Sequence, residues 1–199
     1  SIYGSMSILY LGTVDVSSTS GNGGSIILNT PGYLGVDGSA NLASTSGTEG
    51  TFTATNSIIQ VGGDANYGTN FAPPGFTSAS IDSVFTSTSL EQILASGNVV
   101  INGTSLFALT NDVTWSSGYS LSLVGSTEIE ISQLFSMTGT GFSGTNVFSM
   151  TAPIIEILST SNVGVDIASG DILADASNYL LLTGAISDSS RIRTEDGTV

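Results

Sequence analysis

Residues 97–131, GNVVINGTSLFALTNDVTWSSGYSLSLVGSTEIEI, carry the reading on which the fold class turns. Four short apolar runs follow one another: Val99-Val100-Ile101, Val113-Thr114-Trp115, Leu121-Ser122-Leu123-Val124 and Ile129-Glu130-Ile131. Three of them alternate apolar with polar residues, the period of a half-buried strand. The breaks between them hold Asn102-Gly103-Thr104, Asn111-Asp112, Ser117-Gly118 and Gly125-Ser126, residues that favour turns through φ > 0 or side-chain-to-backbone bonds. No stretch between the runs has room for a crossover helix. Strand, corner, strand and corner in succession describe an antiparallel meander or a coil of short parallel strands.

Outward from this stretch the same rhythm continues. Toward the N-terminus, ILYLGTVDVSS, GGSIILNT, GYLGVDGSANLAS and GTFTAT are strand candidates. Two phrases, GTVDVSSTSGNGGSIIL and NLASTSGTEGTFTAT, each run from an apolar stretch through a Ser-Thr-Ser-Gly corner into a new strand, a weak internal repeat in the solenoid range. Toward the C-terminus, residues 133–138, 144–151, 154–159, 163–168, 170–174, 179–183 and 185–187 read as further short strands. Residues 62–80 form an irregular loop or insertion with Pro73-Pro74 and three aromatics, Tyr67, Phe71 and Phe76. SLEQILAS at 89–96 is the best short helix, with Ser89 as N-cap and Gly97 as stop. The tail DSSRIRTEDGTV reads as a frayed end or a cut through a continuing chain. One domain spans residues 1–199, as a whole or as a piece of a longer repetitive chain.

Three features favour an all-β parallel β-helix, or β-solenoid, over a sandwich or barrel. Two-residue hairpin signals are few, and the run after Asn102-Gly103 does not mirror the one before it. Alternation is good within single strands, as a coil with one face in and one face out requires. Ser, Thr, Asn and Gly abound, and stacked coils can hydrogen-bond ladders of like side chains from rung to rung. Rungs of roughly 20–28 residues would give roughly 7–10 of them and a rod of about 35–45 Å.

Composition removes several classes of function. Charged residues are 9% of the 199-residue chain, there is no Lys, His or Cys, and the net charge is -14. The two basic residues, Arg191 and Arg193, leave no footprint for a polyanion, so nucleic acid is not an expected partner, and an anionic membrane surface is disfavoured likewise. No apolar run approaches a membrane span, so membrane insertion is not expected. Without His there is no Ser-His-Asp chemistry. Without Cys there is neither a disulfide scaffold nor thiol chemistry, which suits an exported bacterial protein. SIYGSMSILYLG lacks the basic start of a signal peptide, which suggests a processed chain or a piece of a larger one.

The segments GTVDVSSTSGNGGSIIL, IIQVGGDANYG, SLEQILASGNVVI and NDVTWSSGYSLSLVGSTEIEIS together resemble the filamentous-haemagglutinin-type β-helical exoproteins of bacteria, the two-partner-secretion-like surface proteins. The resemblance covers roughly residues 8–132. It implies a right-handed parallel β-helix, exported and displayed on or released from the cell surface, acting as an adhesin, a filament stem or a structural surface protein. The motif is structural, and none of its residues is catalytic. This chain departs from the pattern in having no Lys and in beginning partway through it, and no secretion-directing N-terminal domain is read from the given residues.

Candidate sites are few. Trp115, Tyr67 and Phe71 are the candidate ligand contacts, as stacking platforms for a sugar; the alternation of Trp115 with Val113 argues instead for a packed rung residue. The acids are scattered, and Glu128 and Glu130 face outward if Ile129 and Ile131 point in, so paired carboxylates for glycoside hydrolysis are not evident and no catalytic residue is assigned. A calcium repeat needs its nonapeptide several times. Gly62-Gly63-Asp64 supplies one fragment of it and leaves calcium as the alternative, while Asp166, Asp171 and Asp175 could form only a casual ion site, so no metal or cofactor is assigned. Thr51, Thr53 and Thr55 share a strand face, but an ice-binding surface would repeat that rank on every rung. Asn102-Gly103-Thr104 is a glycosylation sequon. The expectation is a non-enzymatic, extracellular structural or adhesive protein, self-associating through its coil ends or continuing in a longer chain, with surface glycans as further partners. The alternatives are a carbohydrate-binding adhesin with a discrete pocket and a polysaccharide-cleaving β-helix enzyme.

Overall fold

The structure is a computed structural model that describes residues 2–3, 7–63, 83–108, 111–142, 144–158, 163–183 and 190–199. The first course of strands is β1 (Ile2–Tyr3), β2 (Ser7–Tyr10) and β3 (Thr13–Asp15); the second is β4 (Ser25–Asn29), β5 (Tyr33–Val36) and β6 (Ser39–Asn41). Next come β7 (Thr51–Thr55), β8 (Ile58–Gly63), β9 (Ser83–Thr86) and the helix α1 (Ser87–Leu94). The later courses have a long strand and a short one each: β10 (Asn98–Ala108) with β11 (Val113–Trp115), β12 (Leu121–Ile131) with β13 (Leu134–Met137), β14 (Asn146–Leu158) with β15 (Val163–Ile167), and β16 (Asp171–Thr183) with β17 (Ser190–Thr194). All described strand pairs are parallel, and the chain is a β-solenoid of about six turns.

Three faces result. The first stacks β1, β4, β7 and the leading halves of β10, β12, β14 and β16; along it Ile2, Leu28, Ala54, Ile101, Leu123, Met150 and Ala174 lie in register. The second stacks β2, β5, β9, β8 and the trailing halves of the long strands. The third stacks β3 on β6 and, separately, β11, β13, β15 and β17. Alternation places Leu121, Leu123, Ile129 and Ile131 of β12 inside, nearly free of solvent. Aromatic rings fill the wider parts of the core, with Tyr10 on Phe52 (5.4 Å between centroids) and Phe52 on Phe85 (5.6 Å).

The structure departs from the sequence reading at several places. Asn102-Gly103-Thr104 and Gly125-Ser126 do not separate strands; they are register shifts inside β10 and β12, where the chain bends from the first face to the second. A bulge turns the strand and increases its twist without ending the ladder. In β14 the same shift falls at Pro153, which has no N–H to lose. Residues 171–174 and 179–183 likewise belong to one strand, β16.

The helix begins earlier than read. Its N-cap is Thr86, whose side chain accepts from the Ser89 backbone N–H, and not Ser89. Ser89 is buried and donates its hydroxyl to the Gly38 carbonyl. Helix α1 takes the place of a strand on the third face, between β6 and β11. Thr114 N–H donates to Glu91 Oε1 (2.7 Å) above it, and Leu42 N–H donates to Ser96 Oγ (3.1 Å) below. Strand β9 follows β8 in the chain but lies between β5 and β8 in the sheet. This excursion explains why there are about six turns and not 7–10. The step from Ala54 to its stacking partner Ile101 is 47 residues, against 22 from Ile101 to Leu123. Gly62 and Gly63 close β8, and the rest of the 62–80 loop, with Asp64, Tyr67 and Phe71, lies outside the described residues.

The repeated Ser-Thr-Ser-Gly phrases do stack. Ser18 bridges Ser44, Thr45 N–H donates to the Ser18 carbonyl (3.1 Å), and Ser44 Oγ donates to the Gly21 carbonyl (2.6 Å).

Candidate functional site

Core-forming positions are exposed at the C-terminal end of the described coil, whereas Ile8 and Tyr10 of β2 at the N-terminal end are buried. At the C-terminal end, β16 pairs with β14 on one edge, and the other edge has no strand partner among the described residues. Leu180 and Leu182 continue the buried lanes of Ile155 and Ile157, yet they are 42% and 48% exposed. Leu181, on the outward side, is 40% exposed. At the N-terminal end Ile2, Leu9, Leu11 and Val14 are exposed. The signal for the C-terminal surface is legible in Tyr179-Leu180-Leu181-Leu182, an apolar run that ignores alternation and so puts apolar side chains on both faces of one strand.

The tail is neither frayed nor irregular over residues 190–194, which form β17. Arg193 bridges Asp166 on the rung below, Nε donating to Oδ1 (3.0 Å) and Nη2 to Oδ2 (3.3 Å), and Nη2 also reaches Glu195 Oε1 (3.1 Å). Beyond it, Gly170 N–H donates to the Asp196 carbonyl (2.7 Å) and Ile172 N–H to the Thr198 carbonyl (2.8 Å), so residues 196–198 begin to stack on the first face.

Glu128 and Glu130 do point outward, because Ile129 and Ile131 are buried. Glu130 lies in register with Glu156 of the next rung, and the Tyr179 hydroxyl donates to Glu156 Oε1 (2.9 Å). Partial burial, then Glu156, then Glu128 push the Glu130 carboxyl above the usual carboxylate range. None of the described grooves is lined by these acids. Asp166 stands on the third face, while Asp171 and Asp175 stand on the first. Among the described residues no three acids converge as a metal site.

Thr51, Thr53 and Thr55 share the outer face of β7, but Ser25, Ile27 and Asn29 stack below them and Asn98, Val100 and Asn102 above. The rank does not repeat, so no regular ice-matching surface is built. Trp115 is 4% exposed and packs beside Phe148 at 6.4 Å, inside the coil and not on a binding surface. Asn102 of the sequon is half-buried at a corner groove of about 360 Å³ with Asn29, Thr55 and Asn56.

A second groove of about 590 Å³ runs along the corner between the third and first faces, lined by Glu49, Asn98, Ser117, Tyr119, Phe142 and Thr145. The Phe142 ring packs on Gly118, where a Cβ would sit 2.3 Å from it. Burial and the hydrogen-bonded Glu49 carboxylate push the Tyr119 phenol up. Neither aromatic stood out in the sequence, since each lies in a corner without periodicity.

Protein-family models, curated proteins and solved structures give no match to this chain.

Proposed function

We propose that the chain is a non-enzymatic structural protein of a bacterial surface, an extracellular β-solenoid stem or fibre subunit that assembles end to end. The observation that carries this reading is strand β16, whose core-lane leucines Leu180 and Leu182 are exposed on a trailing half that has no second strand partner among the described residues. A rung of a solenoid buries its apolar face only by stacking on a neighbour, and an open edge is a template for another strand. The backbone hydrogen bonds between rungs run along the rod, so a longer stack is a stiffer and longer stem of the same cross-section. The net charge of -14 keeps separate rods apart sideways. Negative-stain electron microscopy with sedimentation velocity over a concentration series tests the reading. Long unbranched fibres one solenoid wide are expected, and isolated short rods at every concentration overturn it.

The corner groove favours a second reading, a carbohydrate-contacting adhesin. Tyr119 and Phe142 offer apolar ring surface, and Glu49 and Asn98 offer hydrogen-bonding groups beside them. Aromatic faces flanked by a few polar groups suit a sugar ring. Glycan-array binding that is lost in Tyr119→Ala supports this reading, and an array without signal removes it.

A further inference from the structure

We infer that the corner groove between the third and first faces takes an uncharged, ribbon-like hexose chain lying along the rod, and that it rejects acidic glycans. The inference rests on the second reading above, a carbohydrate-contacting surface, and adds the class of glycan and its direction.

The direction follows from where the lining residues sit. Glu49 stands just before β7, Asn98 opens β10, Tyr119 leads into β12, and Phe142 precedes β14. These are the same corner on four successive courses. With a rung spacing of about 4.8 Å the groove is about 14 Å long. It lies between β6 and β15, away from both ends of the described coil. Its volume, about 590 Å³, is that of a small-molecule site. A chain of hexoses fits along such a trough, whereas a single ring covers only part of its length.

The polar groups are held in place without a ligand. Asn98 Oδ1 accepts from the Ser120 N–H (2.9 Å) and from the Ser120 hydroxyl (3.0 Å). Those bonds fix which way the amide is turned and leave Nδ2, a two-hydrogen donor, without a partner among the described residues. The Tyr119 hydroxyl donates to the Glu49 carboxylate two courses away, which ties the ring down. Further lone pairs on that carboxylate remain to accept. Phe142 is set by the lack of side chains beside it: a Cβ at Gly118 would lie 2.3 Å from its ring, and one at Gly139 would lie 2.8 Å from it. The Phe142 N–H donates to Ser169 Oγ (2.8 Å) on the next course. Two anchored rings, one amide donor and one acceptor match a hexose, whose C–H surface lies on an aromatic face while its hydroxyls both give and accept.

Charge selects the class. Among the described residues Glu49 is the only charged side chain lining the groove. Asp171, on the following rung, accepts from Thr198 N–H (2.8 Å) and does not line it. Both basic residues of the chain are on β17, where Arg193 is engaged by Asp166 and Glu195. A carboxylated or sulfated sugar would therefore meet Glu49 and a net charge of -14 with no cation to receive it. A protonated amino sugar gains little, because a single partly exposed ion pair is weak. Beside the groove, the outer first-face lane of Ile27, Thr53, Val100, Ser122 and Ser149 is uncharged as well.

Three hexamers with one β-1,4-linked backbone, of glucose, glucuronate and glucosamine, test this by titration calorimetry on the whole chain. The glucose hexamer should bind about tenfold or more tighter than the glucuronate one, and no weaker than the glucosamine one. Free glucose should bind about tenfold or more weaker than its hexamer. Asn98→Asp keeps acceptors for Ser120 and removes the amide donor, and it should weaken the glucose hexamer about tenfold. Glu49→Gln should narrow the gap between the glucose and glucuronate hexamers by about threefold or more. Both positions are partly exposed, and circular dichroism should match the parent. A glucuronate hexamer that binds as well as the glucose one, a gap that Glu49→Gln leaves unchanged, or a glucosamine hexamer that binds tightest overturns the uncharged class. Equal binding of glucose and its hexamer overturns the direction along the rod. A glycan-array signal lost in Tyr119→Ala, with no binding of the glucose hexamer, overturns this inference and leaves the carbohydrate reading standing. An array without signal overturns both.

Discussion

Glu130 stands directly opposite Glu156 on the adjacent rung, so two carboxylates rise from the same outer face one strand spacing apart. Like charges in that position disfavour the sheet. Glu128 adds to the repulsion from two residues along the strand, and the Tyr179 hydroxyl bonds Glu156 and not Glu130.

The pH dependence follows in sign. The Glu130 carboxyl is raised in the folded chain above its unfolded value, so folding favours its protonated form. The stability this contributes is fully present below the unfolded value and is lost as pH rises through the folded one. Glu130→Gln should therefore flatten the fall in melting temperature between acid and neutral pH. It should raise stability at neutral pH by a few tenths to about 1 kcal/mol, the partly exposed setting keeping it small. Thermal melts of parent and variant from pH 4 to 8 check this; a variant less stable than the parent at neutral pH contradicts it.

Thr86 joins two contacts that hold the helical rung. Its side chain accepts from Ser89 N–H (3.2 Å) and donates to Asp37 Oδ1 (3.1 Å) on the second course. Thr86→Ala should cost about 0.5–2 kcal/mol in chemical denaturation, the usual range for a lost N-cap. Thr86→Ser keeps the hydroxyl and should recover most of it.

The helix also marks where sequence reasoning stopped short. SLEQILAS identified a helix, but Ser89 has cap chemistry of its own and stood nearer the apolar positions, so the cap went to the wrong residue. That the helix replaces a strand on the third face depends on β6 and β11, which are far away in the chain. The strands were legible because their rule is local, as in Val113-Thr114-Trp115 and Ile129-Glu130-Ile131, and the parallel coil was legible mainly through the scarcity of two-residue hairpin signals between them. The intercalation of β9 between β5 and β8 was not legible, since a short strand carries no mark of its neighbours. The open end was half legible. Tyr179–Thr183 read as a strand, but the exposure of Leu180 and Leu182 follows only from their having no further strand stacked on them among the described residues.

Gly50 fills a corner where consecutive courses touch through their backbones. A Cβ built there would lie 2.0 Å from the Gly24 carbonyl oxygen. Backbone cannot swing aside as a long side chain can, so the rungs would have to part. Gly50→Ala should cost on the order of 1–3 kcal/mol, the range for overpacking a close contact. Gly12→Ala, where a Cβ meets nothing within 4 Å, is the matched control and should stay near the parent.

Trp115 and Phe148 separate two core effects at one place. Phe148 packs against Phe135 (5.4 Å) as well as beside Trp115 (6.4 Å), and it is fully buried. Phe148→Ala removes a ring from the middle of the stack and should cost about 3–5 kcal/mol. Trp115 carries a penalty that Phe148 does not: its buried indole Nε1 meets no acceptor among the described residues. Leaving a buried donor unpaired costs about 1–3 kcal/mol. Trp115→Phe removes that cost while losing ring volume, and the two changes oppose each other. The substitution should therefore stay within about 1 kcal/mol of the parent, a balance of lost burial against a relieved donor. Urea denaturation followed by far-ultraviolet circular dichroism checks both variants on one scale. A loss of more than 3 kcal/mol in Trp115→Phe would show that the indole N–H is bonded after all and that this rung is pinned by it.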